Sequence, residues 1–232
     1  MPRQDRLLLH EEVLLLALRD DKGTVTSGTM YSYGLGGAIL TELVLAERVR
    51  IVTPKKTPLL ELVSSRRMAD PVLEECLGRV RDAKKRASLQ TWVSRFATVK
   101  NLRHRVAEGL CQRRILRADE DKILGIFSRK IYPELDPGPE KRIVERLRRA
   151  IFGAGSEIDP RTVTLVSLAH HTGLLKVVFD KKELKRAKPR IEKIMNGDLM
   201  AKATAEAIQA VQTAVLVAAI LPAVFATTVI HH

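Results

Sequence analysis

Aromatic residues are scarce: one Trp, three Tyr and five Phe in 232 residues, 4% of the chain. Binding single-stranded nucleic acid by stacking needs a series of aromatic faces, and none is provided. Only two cysteines occur, Cys76 and Cys111. Two thiols within apolar or helical stretches make no disulfide framework; they read as buried structural groups in a reducing cytoplasm. No Cys/His/Asp cluster has ligand spacing, so no metal is expected. The adjacent His170 and His171 point to different helix faces, and His170 is expected to be packed and hydrogen-bonded. The glycine-rich Tyr33-Gly34-Leu35-Gly36-Gly37 has neither dinucleotide spacing nor a P-loop lysine; close helix packing explains it better. Glu11 and Glu12 have no serine or histidine motif beside them, and no catalytic residue emerges. Residues 1–9 lack a signal-peptide layout, Pro2 stands where myristoylation needs glycine, and no prenylation cysteine lies near the C-terminus.

Apolar residues and positive charge are plentiful. Hydrophobic residues make up 45%, enough for a real core. Forty Lys/Arg against 27 Asp/Glu give a formal charge of +13, an excess that predicts a polyanionic partner. Residues 79–149 hold 20 Lys/Arg against 9 Asp/Glu, a net of +11. Within them Lys100 and Arg103 stand three apart on an expected helix, where they share a face. Arg113, Arg114 and Arg117 follow at its end. Guanidinium and ammonium groups on one face make a phosphate site. Lys100, Arg103, Arg113 and Arg114 are therefore the candidate headgroup-binding residues. A solvated helix face is the plainer alternative.

Periodicity gives a mainly helical chain. Leu7 to Leu18 reads as a helix with Leu8, Leu15 and Leu18 on one face and Glu11 and Glu12 on the other. Val25 to Met30 reads as a short strand, Tyr33 to Ala46 as a second helix, and Arg48 to Thr53 as a strand ended by Pro54. Asp70-Pro71 and Asp159-Pro160 carry helix-start signals, for helices running to about Lys85 and to His171. Further helices are expected at Leu89–Phe96, Asn101–Gln112, from Pro139 with Arg142, Arg146 and Arg149 outward, and at Glu183–Met195. The proline-broken Ile126 to Pro139 reads as a hairpin or protruding loop that could mediate self-association. Ala207 to Ile230 carries no charge. It is long enough to span a bilayer, which takes ~20 apolar residues, and equally fits a core helix buried all round. No repeat or linker divides the chain, so one domain covering residues 1–232 is expected.

The blocks of sequence also form an ordered set. Leu7-Leu8-Leu9-His10-Glu11-Glu12-Val13-Leu14-Leu15-Leu16-Ala17-Leu18 comes first, then Asp21-Lys22-Gly23. Gly34-Leu35-Gly36-Gly37-Ala38-Ile39-Leu40-Thr41-Glu42-Leu43 follows, then Asp70-Pro71-Val72-Leu73-Glu74-Glu75 with Trp92-Val93. Asn101-Leu102-Arg103-His104-Arg105-Val106-Ala107 and Asp159-Pro160-Arg161 through Leu168-Ala169-His170 complete it. In this order they resemble the Golgi phosphoprotein 3 family, which includes a yeast vacuolar-sorting relative.

The resemblance implies a mainly α single domain, with an apolar helical core ringed by amphipathic helices and β-hairpins at the periphery. It favours the core reading of Ala207 to Ile230. It also implies a non-enzymatic protein without cofactors, peripheral on the cytosolic face of the Golgi, that binds phosphatidylinositol 4-phosphate and helps retain glycosyltransferases. The family's paired basic residues match Lys100 and Arg103. Its site arginine falls on Gly36 and its site tryptophan near Ser27, and only Arg3 and Arg6 stand where its coat-binding cluster would be. These departures mark a divergent member, eukaryotic or prokaryotic. An anionic phospholipid membrane is the expected partner, with Leu59 and Leu60 as candidates for an inserting apolar loop. A nucleic-acid binder using the same basic region and an oligomeric scaffold are the alternatives.

Overall fold

A computed structural model describes residues 6–19, 22–26, 30–54, 56–123, 127–155, 157–199, 209, 211 and 212. The described residues fold mainly into helices around one core, with small antiparallel hairpins at the edge. Three helices form the centre: α1 (Leu9–Ala17), α2 (Tyr31–Leu45) and α7 (Pro160–His171). Every residue of α1 is buried, as are Gly34–Leu43 of α2 and Thr162–Ala169 of α7. Mostly apolar helices belong inside a protein, which is where these lie, with the few carboxylates among them, Glu11, Glu12 and Glu42, each meeting an arginine.

Around them pack α3 (Pro71–Arg81), α4 (Leu89–Ala97), α5 (Leu102–Gln112), α6 (Gly138–Phe152), the short α8 (Leu175–Val178) and α9 (Lys181–Met195). The longer of these bury one stripe each, such as Leu102, Val106 and Leu110 on α5 or Ile143, Leu147 and Ile151 on α6. Their starts follow capping chemistry. Asp70 accepts from the Leu73 N–H at 2.8 Å, and Asp159 from the Thr162 N–H at 3.1 Å. Gly173, at φ +82°, ends α7 as expected. The glycines of α2 serve close packing: a Cβ at Gly36 would overlap the Val93 carbonyl and lie 3.0 Å from the Ala97 nitrogen of α4.

Three hairpins complete the described fold: β1 (Leu18–Arg19) with β2 (Thr24–Val25), β3 (Val49–Val52) with β4 (Leu59–Leu62), and β5 (Asp119–Ile123) with β6 (Phe127–Ile131). Gly23, φ +56°, turns the first hairpin hard against Tyr132 and Pro133, where no side chain fits.

Several expectations need correction. Glu11 and Glu12 are not on a solvated face; they are 6% and 2% exposed, each held by an arginine. Arg146 accordingly turns inward to Glu12. Leu59 and Leu60 form no inserting loop: they lie in β4, and Leu60 pairs with Ile51 and is buried. Of the strand expected over Val25 to Met30, Val25 is the one described residue that belongs to β2. Helix α3 stops at Arg81, well before Lys85. Of the segment read as a hairpin or protruding loop, the described part is a hairpin strand, β6, followed by a stretch that folds back on the body rather than protruding. Tyr132, Pro133 and Pro139 are buried, and the Leu135 N–H donates to the Ile115 carbonyl at 2.9 Å. Cys76 is buried but Cys111 only half-buried. His170 is exposed; the hydrogen bond belongs to His171, whose Nδ1 lies 2.9 Å from the Ser167 carbonyl. The alternatives for Ala207 to Ile230 fall outside the described residues except at 209, 211 and 212, where Val211 and Gln212 are buried. No helix among the described residues is long and apolar enough to cross a membrane.

Candidate functional site: a basic depression between α5 and the β5–β6 hairpin

Ion pairing sorts the basic residues of the middle third. Arg113 donates to Glu11 at 2.9 Å, and Arg146 to Glu12 at 2.7 Å. From α7, Arg161 reaches Glu42 at 2.8 Å and the Leu7 carbonyl at 3.0 Å. These bonds close over the N-terminus of α1. The Leu8 N–H donates to Glu11 and the Leu9 N–H to Glu42, so donors left over by the helix end are satisfied. Burial raises the pKa of Glu12, against the pull of Arg146 and Arg161. This charge is structural.

Lys100 and Arg103 are different. Neither makes an ion pair among the described residues, and both line a depression of about 780 Å³. Its floor and one wall are the turn Lys100–Asn101 and the first turns of α5, with Arg103, His104, Arg105 and Glu108; Glu75 of α3 borders it. Lys100 is not on the helix as expected. Asn101 takes a left-handed φ of +55° as N-cap, and α5 begins after it. The turn still brings the two cations to one rim.

The hairpin strand β6 also lines it, through Ser128, Arg129 and Lys130. Side chains alternate along a strand, so Ser128, Lys130 and the following Tyr132 share a face. That face looks toward α5. Lys130 Nζ lies 3.7 Å from Glu108, and Tyr132 Oη lies 2.9 Å from His104 Nδ1. Arg129 takes the other face and binds Asp121 across the hairpin at 2.6 Å. The Tyr132 ring is buried and its N–H donates to the Gly23 carbonyl at 2.9 Å, fixing the hairpin base.

Within the depression the cations differ in freedom. Arg105 is tied to Glu75, which also holds Arg79 at 2.8 Å. Arg103 touches only His104 Nε2, at 3.4 Å. A guanidinium can only donate, so Nε2 accepts and His104 Nδ1–H donates to Tyr132 in this arrangement. Partial burial, then Arg103 and Lys130, lower the His104 pKa from its ordinary value, against the pull of Glu108.

The four sequence candidates therefore do not converge. Lys100 and Arg103 share the depression, whereas Arg113 and Arg114 stand at the far end of α5, ~15 Å along a helix rising 1.5 Å per residue. Arg113 is engaged with Glu11, and Arg114 is exposed at φ +58°. Gly36 carries no side chain toward a ligand, and Ser27 lies outside the described residues. Sequence reading missed Ser128 and Lys130. A signal existed: acidic Asp119-Glu120-Asp121 and basic Arg129-Lys130 are complementary and close to each other, as cross-strand partners are. No group of three or more residues able to hold a metal ion occurs among the described residues.

The chain is 28% identical over 176 residues to vacuolar protein sorting-associated protein 74 of Schizosaccharomyces pombe, an alignment covering 68% of this chain and 52% of the relative. The chain thus spans about half the length of that relative. The family description Golgi phosphoprotein 3 (GPP34) matches residues 9–211, from the first residue of α1 to beyond α9. The chain belongs to the Golgi phosphoprotein 3 (GPP34) family.

Proposed function

We propose that the chain is a peripheral membrane protein that takes anionic phospholipid headgroups, phosphatidylinositol 4-phosphate among them, into the depression beside Lys100 and Arg103. One observation supports the reading: the two cations line one concave surface, and neither makes an ion pair among the described residues. Near an acidic membrane each Lys or Arg contributes about 1 kcal/mol, and a phosphate with two donors gains charge-assisted hydrogen bonds besides. Family membership supports an adaptor role in membrane trafficking or glycosyltransferase retention, on the cytosolic face of the Golgi in a eukaryotic cell. Self-association belongs to the same reading; Leu135, 56% exposed, is an apolar contact that residues 126–139 offer it.

The test is flotation with vesicles of neutral lipid, and of neutral lipid with phosphatidylserine or with phosphatidylinositol 4-phosphate at matched charge. The wild-type chain floats with the acidic vesicles. The Lys100→Glu/Arg103→Glu variant stays at the bottom while its circular dichroism is unchanged. A wild-type chain that ignores every acidic vesicle, or a folded double variant that floats as well as wild type, refutes the proposal. A shift with duplex DNA or RNA in the first case would favour the nucleic-acid alternative.

A further inference from the structure

Of the histidines among the described residues, His104 alone lines the basic depression. Tyr132 fixes its ring: Nδ1 lies 2.9 Å from the Tyr132 hydroxyl, and the ring centroids are 5.7 Å apart. Nε2 lies 3.4 Å from Arg103 Nη2. A guanidinium has only donors, so this contact exists while the ring is neutral and Nε2 keeps its lone pair. Protonation leaves the Tyr132 bond in place, because Nδ1–H donates in both forms. At Nε2 it replaces an acceptor with a donor and sets a second positive charge against Arg103. Arg103 then loses its partner, and the depression gains a further cationic donor beside it.

The surroundings of the ring are mainly cationic. Partial burial, then Arg103 of α5 and Lys130 of β6, lower the His104 pKa, and Glu108, one helical turn on, raises it. Lys100 lines the same depression, while Arg105 there is held by Glu75 of α3. A bound anion offsets the charges that oppose protonation. Resting on the proposed headgroup site, we infer that His104 makes that site proton-sensitive: the neutral ring occupies Arg103, whereas the imidazolium releases it and joins it in holding the anion. Proton and anion then favour each other, by the same factor in either direction. The extra affinity is fully present below the unliganded pKa of His104, itself under the ordinary 6.5, and is lost as pH rises through the liganded one.

Affinities for phosphatidylserine and for phosphatidylinositol 4-phosphate vesicles are measured at about pH 7.5 and about pH 5 for the wild-type chain, His104→Gln and His170→Gln. The first variant removes the titrating ring from the depression, and the second removes an exposed histidine of α7. Protonation of the lipid is common to all three proteins and cancels in the comparison. Circular dichroism checks the fold at both pH values. Relative to His104→Gln, the wild-type chain should gain about tenfold in affinity on acidification, the contribution of one charge-assisted hydrogen bond. His170→Gln should gain as much as wild type. Loss of the gain in both variants alike would overturn the inference in favour of diffuse charge. An equal pH response of wild type and His104→Gln would also overturn it, while leaving the headgroup proposal standing; vesicle binding at neither pH removes that proposal and this inference with it. A reciprocal reading comes from NMR titration of the His104 ring. Soluble short-chain phosphatidylinositol 4-phosphate should raise its pKa by about one unit, and an unchanged pKa overturns the inference.

Discussion

Replacing Arg146 with Met tests whether the charge network around α1 holds the first helix in place. Glu12 is 2% exposed, and its carboxylate rests on the Arg146 guanidinium at 2.7 Å. Burial pushes its pKa above the ordinary 4.5, Arg146 and Arg161 pull it down, and nearby Glu42 adds to the rise. Met keeps most of the apolar stem and removes the charge. A buried carboxylate stripped of its partner costs ~3–5 kcal/mol. Protonation of Glu12 relieves that cost, and this sets the sign of the pH dependence. The folded pKa lies above the unfolded one, so the folded state binds more protons between the two. The contribution of Glu12 is then fully present below 4.5 and is lost as pH rises through the folded value, with a slope of up to ~1.4 kcal/mol per pH unit. Removing Arg146 raises the folded pKa further and widens this window. The variant should therefore be down by ~3 kcal/mol or more at about pH 7.5, which is roughly 6–12 °C in Tm for a chain of this length. At about pH 5 the deficit should be clearly smaller. Urea unfolding followed by the fluorescence of the buried Trp92 measures both, and Glu12→Gln/Arg146→Met should recover most of the loss. A deficit under about 1 kcal/mol at the higher pH, or one equal at both pH values, would mean that Glu12 is not a desolvated charge.

Two further outcomes follow from packing and burial. Gly36→Ala pushes a methyl into the α4 backbone at Val93 and Ala97 and should cost ~1–3 kcal/mol or more. Gly109→Ala, which meets nothing within 4 Å on α5, should gain ~0.5–1 kcal/mol; chemical denaturation of the pair would expose the reasoning if the two changes agreed in sign. Burial pushes the Cys76 thiol up to about 12, and partial burial raises Cys111 less. In the native protein a thiol-disulfide reagent should therefore label Cys111 slowly and Cys76 only on unfolding, and equal rates would contradict the burial of Cys76.

Much of the architecture was legible because local rules and tertiary packing agree here. Asp70-Pro71 and Asp159-Pro160 start helices as capping chemistry requires, and the apolar spacing of Leu102, Val106 and Leu110 marks the buried stripe of α5. Alternation found β3. What failed depends on partners distant in sequence. Glu11 and Glu12 look like a solvated face until Arg113 and Arg146, from 102 and 134 residues away, are brought to them. Leu59 and Leu60 look like a free apolar loop until β3 pairs with them. β5 is too acidic to read as a strand by composition, and only pairing with β6 makes it one. At the site, the Lys100 and Arg103 juxtaposition survived although the expected helix did not reach Lys100, since the left-handed Asn101 turned the chain and kept both at one rim. Lys130 could not be found from helix periodicity, because it comes from another element.

Net charge alone would have placed the site elsewhere. Helix α9 exposes Lys181, Lys182, Lys185, Arg186 and Lys193, none in an ion pair among the described residues. By number of free cations it ranks above α5. It is, however, one convex helix face with its charges spread along ~18 Å, where each ammonium keeps its water and no two need meet the same phosphate. The α5 depression has fewer free cations but sets them around a concavity, and that geometry turns attraction into coordination. Other basic residues of the middle third are paired, with buried carboxylates as at Arg113 and Arg146 or with surface partners as at Arg86 and Arg129, while Lys84, Lys85, Arg142 and Arg149 are exposed on convex surface. Positive charge thus has three separable uses in this chain: closing the core over the N-terminus of α1, keeping the outer helices solvated, and leaving a few cations unpaired in one hollow. Under the proposed function, only the third is completed by a ligand.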